Sequence, residues 1–141
     1  MPEDADEIVE VLVVDDSPAD RELVRSALAS SSRRYRIHTA RDGVEALAVL
    51  RSGRPLPGLI LLDLHMPRMN GRELLTELRG DPVLRAVPVV VLSGATDPAE
   101  LREAGADAQG CLRKPDGFDE MRQLLAALER RWLGGTTPPP E

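Results

Sequence analysis

Short runs rich in Val, Ile and Leu alternate along this chain with segments of helical spacing, and five such units fit. Such alternation specifies a parallel sheet, because a parallel strand is reached only through a crossover, usually a helix. The strand candidates are residues 9–14, 35–40, 59–63, 87–92 and 108–113. Three of them are near-continuous apolar runs, as expected of strands covered by helices on both faces. The expectation is an α/β, doubly wound, five-stranded parallel sheet built from five βα units in one domain, residues 8–133. Residues 1–7 read as an acidic extension. Residues 134–141, with Pro138, Pro139 and Pro140 in a row, read as a disordered or extended Gly/Thr/Pro tail.

Helix punctuation supports the intervening segments independently of periodicity. Ser17 and Pro18 precede the apolar stripe Leu23, Val24, Ala27 and Leu28, giving a cap, a first-turn proline and a buried face in order. Asp42 with Glu45 has capping-box spacing, and Gly53 before Pro55 stops the second helix. The third opens near Asn70, carries Leu74, Leu75 and Leu78, and ends at Gly80 before Pro82. A short fourth segment lies between Asp97 and Gly105, and should be the most mobile. The last covers 118–133, with Met121, Leu124, Leu125, Leu128 and Trp132 on one face, which is read as core packing.

Composition narrows the function classes. With 42% hydrophobic and 30% charged residues, and no apolar run near the ~18 residues of a membrane span, no contact with a membrane is expected. The acidic start lacks the apolar segment of a secretory signal, so the expected location is cytoplasmic. The single cysteine, Cys111, excludes an internal disulfide and a thiolate metal cage. Net charge is −6 with no basic residue before Arg21, which argues for a protein partner and no nucleic acid. Of 18 basic residues Lys114 alone is lysine. A site that needs a compact ammonium, which a planar guanidinium cannot imitate, would account for that exception.

Doubly wound sheets place their sites at the carboxyl ends of the strands, near the point where strand order reverses. There the first strand supplies Asp15 and Asp16, the third Asp63, the fourth Ser93 and the fifth Lys114. Three converging carboxylates repel and desolvate one another unless a cation compensates. Oxygen-only donors point to a hard ion, Mg2+ before any transition metal. Asp63, held by the rigid run Leu59 to Leu62, is placed to attack phosphorus and form an acyl phosphate. Ser93 and Lys114 are placed to meet two of the phosphoryl oxygens.

Taken in order, Val11-Leu12-Val13-Val14-Asp15-Asp16-Ser17, Leu61-Leu62-Asp63-Leu64-His65-Met66-Pro67, Val91-Leu92-Ser93-Gly94-Ala95 and Lys114-Pro115 resemble the receiver domain of two-component response regulators. The resemblance covers roughly residues 9–133 and implies a flavodoxin-like sheet in the order 2-1-3-4-5. It implies that a histidine kinase phosphorylates Asp63 and that the domain signals by a change of shape or of partner. Chemistry would be limited to self-catalysed phosphoryl transfer and dephosphorylation, without turnover of an external substrate. By resemblance Asp16 ligates Mg2+ directly, Asp15 acts largely through water, Asp63 is ligand and acceptor, and the His65 backbone carbonyl completes the protein ligands. Gly71 matches the turn into the third helix, and the peptide before Pro115 is expected to be cis. Within the family, Pro18-Ala19-Asp20, residues 88–93 and Arg130-Arg131-Trp132-Leu133 look like the stand-alone regulators paired with bacterial phytochrome kinases. That narrower likeness implies a homodimer through the C-terminal structure.

One position departs from the family: Cys111 stands where receivers carry the Tyr or Phe that changes orientation on activation. Its apolar strand favours a buried, inert thiol over a reactive one. His38 and His65 have no second ligand at metal spacing and read as a strand-edge and an exposed loop histidine. A flavin carrier of the same topology would want aromatic rings, against 2% aromatics here. A dehalogenase-type phosphohydrolase needs an acid two residues after its nucleophile, where His65 stands. No Gly-rich loop ending in Gly-Lys-Ser/Thr exists for a P-loop nucleotidase. A receiver-like binding module that never takes phosphate is disfavoured by the presence of every acidic ligand.

Overall fold

A computed structural model of the protein describes residues 8–31, 33–94, 99, 102, 108–115 and 117–133, with side chains only as far as Arg131. The extension 1–7 and the tail 134–141 lie outside the described residues. So does the expected helix at 97–105, except for Ala99 and Arg102, which are both helical.

Five strands form: β1 (Ile8–Val14), β2 (Arg34–Ala40), β3 (Leu59–Leu62), β4 (Val89–Ser93) and β5 (Gly110–Arg113). All neighbours pair in parallel, in the order β2-β1-β3-β4-β5. The helices are α1 (Pro18–Ala29), α2 (Gly43–Leu50), α3 (Gly71–Gly80) and α4 (Phe118–Leu128). A 3-10 turn, Leu84–Ala86, precedes β4, and α4 runs on into a π-helical turn, Glu129–Leu133.

Alternation along the strands separates two cores. Leu12, Val14, Ile60, Leu62, Val89 and Val91 face one way and pack with Ala46, Leu47 and Leu50 of α2 and Leu74, Leu75 and Leu78 of α3. Val11, Val13, Leu59, Leu61, Val90 and Leu92 face the other way, against Val24, Ala27 and Leu28 of α1 and Met121, Leu125 and Leu128 of α4. Every residue of β3 and β4 is buried. At ~1.5–3 kcal/mol for each large side chain removed from water, these two strands anchor the fold.

Capping follows the sequence closely, with one difference. Ser17 accepts the Asp20 N–H, and Asn70 with Glu73 forms a complete capping box. Asp42 accepts the Glu45 N–H at 2.9 Å, but Glu45 Oε1 turns to the Arg41 N–H, so only half of the expected box forms there. Helix α2 stops at Leu50, before Gly53. Where α4 passes into its π-helical turn, Glu129 Oε2 accepts from both Ser31 and Tyr35 hydroxyls, tying the end of the last helix to the turn after α1 and to β2. Burial first, then the Glu129 carboxylate, raises the Tyr35 pKa and keeps that hydroxyl a donor.

The loop from β3 to α3 contains Arg68 at φ 66°, the left-handed region that a non-glycine residue enters at a cost of ~1–2 kcal/mol. Arg68 Nε and Nη2 hold the Asp42 carboxylate at 2.8 and 3.2 Å, and the Met69 carbonyl accepts the Gly43 N–H at 2.9 Å. The turn therefore locks this loop to the start of α2. In urea melts Arg68→Gly, released from the left-handed strain, should be about 1 kcal/mol more stable than Arg68→Ala. Hydrogen bonds from Arg68 hold the Asp42 carboxyl below its ordinary value. Stability from the pair is then present above pH ~4 and lost as pH falls through the folded value, so the gap between wild type and Arg68→Ala should close in acid.

Candidate functional site

The sheet ladder runs one residue past three of its strands, and each extension carries a polar residue. The Asp15 N–H donates to Ala40 O at 3.0 Å, the Asp63 N–H to Val14 O at 2.9 Å and the Lys114 N–H to Ser93 O at 2.9 Å. Backbone hydrogen bonding, which buried parallel strands must satisfy completely, thus aims these side chains at one place. That place is the β1/β3 boundary where the strand order reverses.

Carboxylate oxygens of Asp15, Asp16 and Asp63 lie within 4.8 Å of one another. Asp15 and Asp63 are buried and Asp16 is exposed. Lys114 Nζ sits 2.7 Å from Asp15 Oδ2, 2.9 Å from Asp20 Oδ2 and 3.7 Å from Asp63 Oδ1. Burial pushes the Asp63 carboxyl up to about 6; Lys114 opposes this, Asp15 and Asp16 add to it, and the His65 N–H opposes it. For Lys114, burial favours the neutral amine, yet hydrogen bonds to Asp15 and Asp20 and the charges of Asp15 and Asp63 hold its pKa above the ordinary value. An all-oxygen donor set under mutual repulsion suits a hard divalent cation.

Asp15, Asp16, Asp63 and Lys114 come together as the sequence leads one to expect, and Ser93 is fully buried at the end of β4. His65 is exposed in the loop, and His38 of β2 pairs with Glu10 of β1 at 3.0 Å. Two expectations need correction. No peptide bond among the described residues is cis, so Lys114–Pro115 is trans. The ordinary trans preference of ~0.5–1 kcal/mol prevails while Lys114 continues the ladder and its ammonium reaches Asp15. Cys111 is half-buried rather than buried, because β5 is the outer strand of the described sheet; desolvation still raises its pKa, which fits an unreactive thiol.

Sequence reasoning missed two neighbours. Arg21 donates from Nη1 to the Asp15 carbonyl at 2.8 Å, and Asp20 holds Lys114. The available signal was Ser17-Pro18, which starts a helix directly after Asp16 and therefore brings its first turns back over the end of β1.

Gly71 approaches the acceptor strand more closely than any side chain allows. Its N–H donates to Leu64 O at 3.0 Å, and a Cβ there would overlap the Asp63 carbonyl and stand 2.8 Å from Leu64 Cα. Gly71→Ala must displace backbone, at a cost of ~1–3 kcal/mol in urea melts, with amide resonances of residues 62–65 shifted. An unchanged spectrum would show that α3 yields instead.

Over residues 11–126 the chain matches the family described as the response regulator receiver domain. FilR2 of Methanothrix harundinacea, described as a probable methanogenesis regulatory protein, is 35% identical over 134 residues, covering 92% of this chain and 86% of FilR2. Response regulator Rcp1 of Synechocystis sp. is 33% identical over 135 residues, covering 92% of each chain. The solved structure of the phosphorylated cyanobacterial phytochrome response regulator RcpA matches with a TM-score of 0.85 at 34% identity, over 95% of this chain and 100% of RcpA. The Mn(2+)-bound form of Rcp1 matches with a TM-score of 0.81 at 32% identity, over 94% and 99%. Fold, sequence match and coverage agree: the chain belongs to the response regulator receiver domain family, whose general property is to accept a phosphoryl group.

Proposed function

We propose that residues 8–133 form a single-domain switch in which Asp63 takes a phosphoryl group from a histidine kinase, with Mg2+ as the cation, and signals by a change of shape or of partner. The observation that carries this reading is the buried Asp63 carboxylate, flanked by two further acids and by Lys114. An oxygen of Asp63 attacks phosphorus as the bond from phosphorus to the donor's imidazole nitrogen breaks. The electron pair of that bond returns to the imidazole, a proton from water completes the neutral ring, and an acyl phosphate remains on Asp63.

Mg2+, held by Asp15, Asp16, Asp63 and the His65 carbonyl, would supply positive charge against the phosphoryl oxygens. The Ser93 hydroxyl donates to one phosphoryl oxygen and the Lys114 ammonium to another, which draws the end of β4 toward the acceptor. Cys111 is too small for the ring rotation that other receivers use, so the shape change rests on Ser93 and the loop that follows it. Chemistry stops at self-catalysed transfer and hydrolysis of the acyl phosphate. The likeness to relatives described as phytochrome response regulators supports a phytochrome-type histidine kinase as donor.

Among the described residues no helix is long and apolar enough to cross a membrane. Incubation with a small phosphodonor and Mg2+ should add one phosphoryl mass, abolished by EDTA or by Asp63→Asn, and the label should be lost in alkali. Full labelling of Asp63→Asn, or an alkali-stable label, would move the acceptor to another residue.

A further inference from the structure

Phosphoryl binding alone does not account for where the Lys114 ammonium sits. Lys114 follows β5, β3 stands between β5 and β1 in the sheet, and the acceptor follows β3. Coming from the β5 side, the ammonium goes beyond Asp63, 3.7 Å away, and ends on Asp15 at 2.7 Å and Asp20 at 2.9 Å. It has overshot the residue it is meant to serve.

The two carboxylates that hold it differ. Asp15 belongs to the cluster that suits a cation, so a bound cation competes with Lys114 for it. Asp20 is outside that cluster. It lies in the first turn of α1, where Pro18 begins the helix and Ser17 Oγ accepts the Asp20 N–H at 3.2 Å, so its backbone is fixed at the start of the helix. A cation that took Asp15 would leave Lys114 this second carboxylate.

We propose that Asp20 is a positioning residue that restrains Lys114 in the unphosphorylated domain, so that the ammonium gives up the Asp20 carboxylate to reach a phosphoryl oxygen on Asp63. The inference rests on Asp63 being the acceptor. One ammonium faces three carboxylates, and a charged hydrogen bond to any of them competes with the bond to phosphate. The Asp20 side chain is 35% exposed, against 11% for Lys114, so water softens the pair without dissolving it. Such a restraint biases the switch toward its resting form by a small factor and does not block it. It also leaves Lys114 unavailable to a weakly bound donor until the phosphoryl group is in place.

The direct test is the affinity for beryllium trifluoride, a stable phosphoryl mimic, at saturating Mg2+, measured by calorimetry on the full chain. Asp20→Asn keeps the shape and removes the charge, and should bind the mimic about three- to fivefold more tightly than wild type, the equivalent of ~0.6–1 kcal/mol. In a Lys114→Gln background the same substitution should change affinity less than about 1.5-fold, since there is no ammonium left to release. Equal or weaker binding by Asp20→Asn would overturn the inference, as would equal tightening with and without Lys114, which would mark a general charge effect. If wild type failed to bind the mimic while remaining folded, the acceptor reading would fall and this inference with it.

Discussion

Everything at the site depends on a parallel hydrogen-bond ladder that continues one residue beyond the end of its strands. Asp15, Asp63 and Lys114 are each held by a backbone N–H to the neighbouring strand, so their positions inherit the rigidity of a sheet buried on both faces. The apolar side chains of β1, β3 and β4 pay for that rigidity by filling two separate cores. Loops then adjust the surroundings: Arg68 in its left-handed turn ties the loop after β3 to α2, and Gly71 lets α3 start against the Asp63 backbone.

The same ladder explains what could be read from the sequence. A polar residue that ends an apolar strand is visible as a break in hydrophobicity, and that is how Asp15, Asp16, Asp63, Ser93 and Lys114 stand out. Strand order and the meeting of four of these side chains follow from right-handed crossovers between parallel strands. Contacts that depend on side-chain reach were not legible. Asp20 and Lys114 are 94 positions apart, and nothing local to either one names the other. The Arg68 pair with Asp42 depends on a backbone conformation that arginine rarely adopts.

Element ends were less legible than element identities, for physical reasons that differ from place to place. Helix α2 ends at Leu50, the last of its buried apolar residues, although Gly53 is the nearer stop signal in sequence. The last helix passes into a π-helical turn at Glu129, whose carboxylate accepts from Ser31 and Tyr35, two partners supplied by distant segments. The trans Lys114–Pro115 peptide and the half-buried Cys111 both lie at β5, an outer strand of the described sheet.

The central claim is electrostatic: the fold forces three carboxylates into one place, and Lys114, shared with Asp20, compensates them only in part. At Asp63 burial favours the neutral form, against the opposing charge of Lys114, and the acidic neighbours add to it. The direct measurement is the urea unfolding free energy of wild type and Asp63→Asn at pH 7.5, in EDTA and again in excess Mg2+. The account predicts that Asp63→Asn is the more stable protein in EDTA, because a buried repelling charge is gone, and that Mg2+ stabilises wild type far more than the variant. If Asp63→Asn were the less stable protein in EDTA, and Mg2+ shifted both proteins equally, the carboxylates would not be under mutual strain and the account would be contradicted.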